Sequence, residues 1–132
     1  MRLLLGYRQL VHFAGRELYL VTVGEQLQRL GHDVTLYASE LGPAADLARE
    51  RGLRVAGADE APDSCEALLA QDGETAYALA ERYPTAARVF VCHSTEFAAQ
   101  SPPLAAGACQ ATVALNERVA ERLRAAPGPA PP

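Results

Sequence analysis

Residues 1–38, MRLLLGYRQLVHFAGRELYLVTVGEQLQRLGHDVTLYA, decide the fold expected for this chain. An apolar run at residues 3–5 predicts a first strand that stops at Gly6. Apolar residues at helical spacing predict a helix over about residues 16–30, and alternating residues predict a second strand over residues 33–37. Because two strands joined by a helix lie parallel in one sheet, this stretch predicts the opening unit of a parallel sheet.

The predicted helix has one apolar face and a glycine at each end. Gly15 precedes the helix, after a loop over residues 7–14, and Gly31 follows it. Gly31 is expected to end the helix, because glycine takes a left-handed conformation without a Cβ clash. The free N–H groups at the start of the helix predict an anion site above the first strand. The apolar face is expected to consist of Leu20, Val23, Gly24, Leu27 and Leu30.

The rest of the chain continues to alternate between strands and helices. Further strands are predicted over residues 53–56, 67–70, 88–93 and 111–115. Further helices are predicted over residues 43–51, 75–83, 104–108 and 117–125, with a turn over 39–43, a polar loop over 94–103 and Asn116 as a helix cap. The pattern predicts an α/β fold: a Rossmann-like, doubly wound parallel sheet of about six strands with helices on both faces. Residues 1–125 would form this single domain, and the proline-rich residues 126–132 a linker or a disordered end.

Composition narrows the class of protein. The net charge is −4, every basic residue is arginine, and lysine and isoleucine are absent, which is typical of a bacterium with a GC-rich genome. The acidic balance and the lack of a basic run argue against nucleic-acid binding. A strand predicted at the N-terminus argues against a signal peptide, and no apolar run approaches the ~20 residues of a membrane span. Three cysteines without metal-ligand spacing favour a cytoplasmic protein, with Cys92 in the core.

In doubly wound sheets, ligands bind at the carboxyl ends of the strands, where the strand order reverses. The residues that the prediction places at that edge are 6–8, Gly15, Asp72, 93–95 and Asn116. A dinucleotide site would need Gly-x-Gly-x-x-Gly directly after the first strand, whereas the glycines here are residues 6, 15 and 24. A dinucleotide-binding domain is therefore disfavoured.

Four short motifs follow one another in an order that resembles a known family. The first is Gly15-x-Glu17 at the helix start, and the second is residues 31–34, GHDV. The third is residues 91–94, VCHS, at the end of a strand, and the fourth is residues 113–120, VALNERVA. In this order they closely resemble the N-terminal domain of family 4 glycosyltransferases, which have the GT-B fold.

The chain also departs from that family. Ala14 replaces the first glycine of the usual Gly-Gly pair, and Asn116 replaces a serine. The family has a second Rossmann-like domain that holds most of the nucleotide-sugar donor and carries a Glu-x7-Glu motif. Literal matches to this spacing lie in the wrong domain here and are taken as coincidence: Glu17 with Glu25, and Glu66 with Glu74.

The resemblance implies a set of functional residues. It gives His93 the role of a catalytic histidine that hydrogen-bonds the transferred sugar, and it places Gly15 and Arg16 at the donor phosphates. The acceptor-binding residues that it implies are Arg8, His12, Glu17, Asp72, Ser94 and Thr95. It implies a retaining reaction without a metal or a resident cofactor, with a nucleotide-diphosphate sugar as substrate.

The sequence leaves a structural interpretation open for several of these residues. His93 could simply cap its strand, and Gly15 could be needed only for the turn. Glu17 could orient the loop or contact the acceptor, and it could equally be only a favourable charge at the helix start. Arg8 and His12 could lie in a solvated loop.

Two functions follow as alternatives. In the first, the chain is the N-terminal half of a retaining glycosyltransferase, which transfers a sugar to an acceptor hydroxyl and is inactive without its C-terminal domain. In the second, it is a stand-alone, non-catalytic binding module or partner subunit. Apolar surface where a second domain would dock could also drive formation of a homodimer.

Overall fold

The computed structural model describes residues 1–96, 98–103, 105 and 107–125. The strands are β1 (Arg2–Leu10), β2 (Asp33–Leu41), β3 (Arg54–Ala56), β4 (Ala67–Ala70), β5 (Ala87–Cys92) and β6 (Ala111–Ala114). The helices are α1 (Gly15–Arg29), α2 (Pro43–Glu50), α3 (Gly73–Arg82) and α4 (Glu117–Ala125). All six strands form one parallel sheet in the order β3-β2-β1-β4-β5-β6. The predicted doubly wound α/β sheet is confirmed, and its strand order reverses between β1 and β4.

The sheet buries apolar side chains on both of its faces. In β1, Leu4 and Leu5 point to opposite faces because successive residues of a strand alternate. Leu5 packs in a cluster with Leu20 of α1 and Ala44 of α2, whereas Leu4 packs in a cluster with Leu79 of α3. The helices therefore cover both faces, which leaves the carboxyl ends of the strands as the edge where a ligand can approach.

Strand β1 is longer than predicted. It does not stop at Gly6 but continues to Leu10, so that Arg8 lies in a strand and not in a loop. A Cβ at Gly6 would lie 2.7 Å from Leu79 Cδ1 and 2.8 Å from Thr75 Cγ2. Gly6 is therefore required for the close packing of α3 on the sheet, and its presence says nothing about a turn.

Strand β2 is longer as well, and the turn predicted over residues 39–43 is wrong for residues 39–41. The two strands remain paired up to Leu10, which lies opposite Leu41. Strand β4, in contrast, pairs with β1 only up to Ala70 opposite Gly6. The paired ends of β1 and β2 thus project beyond β4, beside the point where the strand order reverses.

The buried face of α1 differs from the predicted one. Leu20 and Gly24 are buried as expected, but Leu30 is 75% exposed and lies beyond the last helical residue. Glu17 and Val21 are buried instead. The helix therefore packs on the sheet with a face that includes an acidic side chain in its first turn.

Two predicted helix ends are confirmed. Gly31 has a φ of +95°, the left-handed conformation expected of a residue that ends a helix. The Asn116 side chain accepts the backbone N–H of Val119 at 2.9 Å and so caps α4. Both helix ends depend on the conformation and hydrogen bonds of residues that are close in sequence, so they can be predicted from the sequence alone.

Other predictions fall partly or wholly outside the described residues. Residues 126–132 lie outside them, and the short helix predicted over residues 104–108 lies partly outside them. A short 3-10 helix at Ala98–Gln100 lies within the predicted polar loop. Of the helices in the described part of the chain, none is long and apolar enough to cross a membrane.

Candidate functional site

The carboxyl ends of β4 and β5 meet the N-terminus of α1 beside the reversal of strand order. Gln71 directly follows β4, His93 directly follows β5, and Arg16 lies in the first turn of α1. Hydrogen bonds of the Gln71 side chain connect these residues. Together with Tyr19 they are called the His93 cluster below.

The imidazole of His93 is held on two sides. Its Nε2 atom is hydrogen-bonded to Oε1 of Gln71. The ring of Tyr19 meets the imidazole edge-on, with centroids 4.8 Å apart and an angle of 89° between the planes. These contacts fix both the position and the plane of a partly buried ring at the edge where the fold class places ligands.

Gln71 and Tyr19 are the two residues of this cluster that were not predicted from the sequence, and Gln71 makes its hydrogen bonds. Its side chain is completely buried, and its Nε2 donates to the carbonyl oxygen of Arg16 at 3.1 Å. Its backbone N–H donates to the carbonyl of Gly6 at 3.3 Å. The only signal in the sequence is position: a polar residue directly after a buried strand lies at the ligand edge of this fold.

Two effects lower the pKa of His93. Burial is the larger, because it disfavours the charged imidazolium, and the positive charge of Arg16 acts in the same direction. The ring is therefore held in its neutral form at neutral pH. A neutral imidazole has one nitrogen that donates and one that accepts a hydrogen bond.

The start of α1 has features that suit an anion. Nε of Arg16 is buried and has no hydrogen-bond partner among the described residues. Ala14, at the N-cap, has no side-chain atom that could cap the helix. Gly15 does not have a positive φ, and a Cβ there would meet no atom within 4 Å. The uncapped helix end thus combines free N–H groups, a guanidinium and open space.

Glu17 orients the loop that leads into α1. Its carboxylate is 2% exposed and accepts the backbone N–H of His12 at 3.2 Å. His12 itself is exposed at the surface of that loop. Of the interpretations that the sequence leaves open for Glu17, the structure favours loop orientation; contact of Glu17 or His12 with an acceptor stays a prediction.

Asp72 connects two elements through its carboxylate. Its side chain accepts the N–H of Arg8 at 3.1 Å and, as the N-cap of α3, the N–H of Thr75 at 3.0 Å. At 2% exposure it has little surface left for a ligand. The structure thus gives Asp72 a role in holding β1 and α3, and acceptor binding by Asp72 or Arg8 stays a prediction.

The residues after β5 lie close to the His93 cluster along the chain. Ser94 and Thr95 are partly buried, and Ser94 Oγ accepts the N–H of Glu96 at 3.1 Å. Cys92 is fully buried, which confirms its predicted place in the core. Burial raises the pKa of the Cys92 thiol, so this group is a packing residue with little thiolate character.

The structure therefore divides the predicted site residues into groups. It brings Arg16 and His93 into one hydrogen-bonded cluster at the start of α1, next to Gly15. It places His12 with Glu17, and Arg8 with Asp72, in separate backbone-to-carboxylate pairs. Of these groups, the first alone contains a buried polar atom, Nε of Arg16, that has no hydrogen-bond partner within the part of the chain that the structure describes.

Within the described ranges, no group of three or more His, Cys, Asp and Glu side chains is placed to hold a metal ion. Comparison of the chain with protein-family models, with curated proteins and with solved structures found no match.

Proposed function

We propose that this chain is the acceptor-side half of a retaining glycosyltransferase of the GT-B type. Such an enzyme transfers a sugar from a nucleotide-diphosphate sugar to an acceptor hydroxyl. The observation that supports this proposal is the position of Arg16 at the uncapped start of α1. Its Nε is buried and has no hydrogen-bond partner among the described residues. Its positive charge lies close enough to His93 to lower the pKa of that imidazole. The ordered motifs around Gly15 and His93 support the same function.

The start of α1 would bind the diphosphate of the donor. During transfer, the bond between the anomeric carbon and the diphosphate oxygen breaks, and negative charge develops on the leaving diphosphate. The N–H groups of the first turn and the guanidinium of Arg16 would stabilise that charge. Gly15 would let the phosphates approach the backbone, since no side chain occupies the space above it. A second domain would supply the remaining donor contacts.

His93 would fix the transferred sugar by a hydrogen bond to one of its hydroxyls. The acceptor would lie along Arg8, His12, Ser94 and Thr95. Glu17 and Asp72 support these positions indirectly, because their carboxylates hold the backbone of His12 and Arg8.

Calorimetric titration of the 132-residue chain tests this function. Nucleoside diphosphates are expected to bind weakly, with a Kd on the order of 1 mM, whereas the corresponding nucleosides show no binding. Arg16→Met should weaken diphosphate binding by about tenfold or more, the value of one charged hydrogen bond. Arg29→Met, at the exposed last turn of the same helix, is the matched control and should bind normally. Equal binding by both variants, or no binding by the wild type, would contradict the proposal.

The 132 residues by themselves are not expected to turn over a nucleotide sugar, because the proposed function assigns half of the donor cleft to a second domain. The purified 132 residues are incubated with a nucleotide sugar, and release of free sugar or of nucleoside diphosphate is measured. Release faster than in buffer without protein would contradict the expectation that the chain contains only half of the active site.

A second candidate, a non-catalytic module, is favoured by the surface of the edge strand. Val113 in β6 and Leu115 directly after it are 45% and 47% exposed, and they lie on one face because they are two residues apart. A second copy of the chain would cover them in a homodimer. Sedimentation velocity distinguishes the candidates: a module without diphosphate binding that dimerises, and becomes monomeric on Val113→Glu, supports this function against the enzyme half.

A further inference from the structure

The side-chain amide of Gln71 can have only one orientation. It lies between the Arg16 carbonyl oxygen and Nε2 of His93. A carbonyl oxygen only accepts hydrogen bonds, so the atom 3.1 Å from it must be the amide nitrogen. The amide oxygen therefore faces the imidazole. The opposite orientation would bring two acceptors together and leave a buried N–H facing the ring.

The orientation of the Gln71 amide determines which nitrogen of the His93 imidazole carries the hydrogen. Because Oε1 of Gln71 can only accept, Nε2 of His93 must carry a hydrogen and donate it. In a neutral imidazole, Nδ1 then carries a lone pair. No hydrogen bond to Nδ1 is made by the described residues, and His93 is only partly buried.

From this arrangement we infer that Gln71 is a positioning residue that holds His93 as the Nε2–H tautomer and leaves Nδ1 as the hydrogen-bond acceptor offered to a ligand. Gln71 does not touch the ligand in this role. It acts through His93. It also fixes the position of the imidazole relative to α1, because its amide nitrogen donates to the Arg16 carbonyl oxygen.

The surroundings of the ring keep it in the neutral form, in which one nitrogen has no hydrogen. From α1, the guanidinium of Arg16 is the charged group that acts on the imidazole, and Tyr19 contributes the edge of a neutral ring. Gln71, which directly follows β4, contributes a neutral amide. A positive charge nearby and partial burial oppose a second proton on the ring, so that Nδ1 stays a bare acceptor.

The chemical class of the ligand group follows from the tautomer. A bare Nδ1 binds a donor such as a hydroxyl and repels an anion or a carbonyl oxygen. The identity of that hydroxyl as part of a sugar rests on the proposed function, whereas the tautomer itself does not. The cluster thus separates two subsites: an acceptor nitrogen for a hydroxyl at His93, and positive groups for a phosphate at the start of α1.

Long-range proton–nitrogen NMR correlation of the ¹⁵N-labelled chain tests this inference directly. The chain has three histidines, and single His→Gln variants assign their ring signals. His93 is expected to show a protonated Nε2 and an unprotonated Nδ1 at neutral pH, while the exposed ring of His12 serves as an internal reference. A wild-type spectrum with the proton on Nδ1 would overturn the inference without the need for any variant.

Two substitutions of Gln71 complete the test. Gln71→Met keeps the length of the side chain but removes the acceptor, and it should lower the Nε2–H share of the His93 ring to the share shown by the exposed ring of His12. Gln71→Glu places a carboxylate against Nε2 and should raise the pKa of His93 by about one unit or more. Gln100→Met removes the amide of another buried glutamine and should leave the His93 signals as in the wild type. A tautomer ratio of His93 in Gln71→Met equal to that in the wild type, with the fold intact by amide spectra, would also overturn the role of Gln71.

This outcome is separable from the proposed function. If the tautomer and its response to Gln71 are as expected but no diphosphate binds to the chain, the positioning role stands and the glycosyltransferase assignment fails. If diphosphate binds but His93 has the other tautomer, the function stands and Gln71 loses its role.

Discussion

The Asp72 carboxylate accepts the backbone N–H of Arg8 at 3.1 Å and thereby ties the end of β4 to the part of β1 that projects beyond it. The other carboxylate oxygen caps α3 by accepting the N–H of Thr75 at 3.0 Å. One buried side chain thus fixes a strand and a helix on either side of the reversal of strand order. Gln71, the preceding residue, does the same for α1 and β5.

Replacement of Asp72 by alanine is expected to destabilise the chain. The change removes the cap of α3 and leaves the N–H of Arg8 without its acceptor, so we expect a loss of about 2 to 4 kcal/mol in the free energy of unfolding. Urea denaturation followed by circular dichroism measures it. Asp46→Ala in α2 removes an exposed acidic residue and is the control, with an expected change under about 0.5 kcal/mol. Equal midpoints for the two variants would refute the structural role of Asp72.

Two glycine substitutions are expected to have opposite effects. In Gly6→Ala, the new methyl group would lie within 3 Å of both Leu79 and Thr75, and Thr75 is held by its bond to Asp72. We expect a loss of about 1 to 3 kcal/mol in the free energy of unfolding from overpacking.

Gly15→Ala provides the matched comparison, because a methyl group there meets no atom within 4 Å. The variant should unfold at the wild-type urea concentration or slightly above it, since alanine favours helix. Its binding of nucleoside diphosphate should nevertheless be weaker, because the methyl group fills the space through which phosphates approach. A stable variant with unchanged affinity would show that Gly15 has no role in binding.

The order of strands and helices could be predicted from the sequence, and the lengths of β1 and β2 could not. The alternation of apolar runs and helical spacing reports which element comes next, since it depends on local periodicity. The projection of β1 and β2 depends on their pairing with each other, up to Leu10 opposite Leu41. Gly6 looked like a strand end because the helix that packs on it, α3, lies far along the sequence.

The stability of the chain should fall as the pH is lowered through the titration of His93. Its pKa in the folded chain is below the usual value, so the unfolded state binds more protons between that pKa and about 6.5. The contribution of His93 to the free energy of unfolding is therefore fully present above about pH 6.5, and it decreases as the pH falls toward the pKa of His93 in the folded chain.

Urea midpoints measured between about pH 5 and pH 8 check this direction. In His93→Gln the part of the slope due to this residue should disappear, whereas His32→Gln, at the turn between α1 and β2, should keep it. Arg16→Met should reduce the slope, because it removes the positive charge that opposes protonation. A wild-type slope that His93→Gln leaves unchanged would contradict the lowered pKa.

The candidate site could be predicted only in part for a related reason. His93 and Gly15 were found because they lie in motifs and at strand or helix ends. Gln71 was not, because its importance comes from contacts with Arg16 and His93, which are 55 and 22 residues away in sequence. The capping role of Asp72 did have a local signal: an Asp three residues before Thr75 at the start of a predicted helix is typical of an N-cap.

The central claim is that the start of α1 is a diphosphate site with His93 beside it, and a titration followed by proton–nitrogen amide spectra of the 132-residue chain tests it most directly. Uridine diphosphate and guanosine diphosphate are added separately to the wild type and to Arg16→Met. The account predicts saturable shifts of the Gly15, Arg16 and Glu17 amides and of the His93 ring in the wild type, and their loss in the variant. Shifts that centre on another part of the chain, such as Arg49 and Arg54 near β3, or shifts that persist in Arg16→Met, would contradict it.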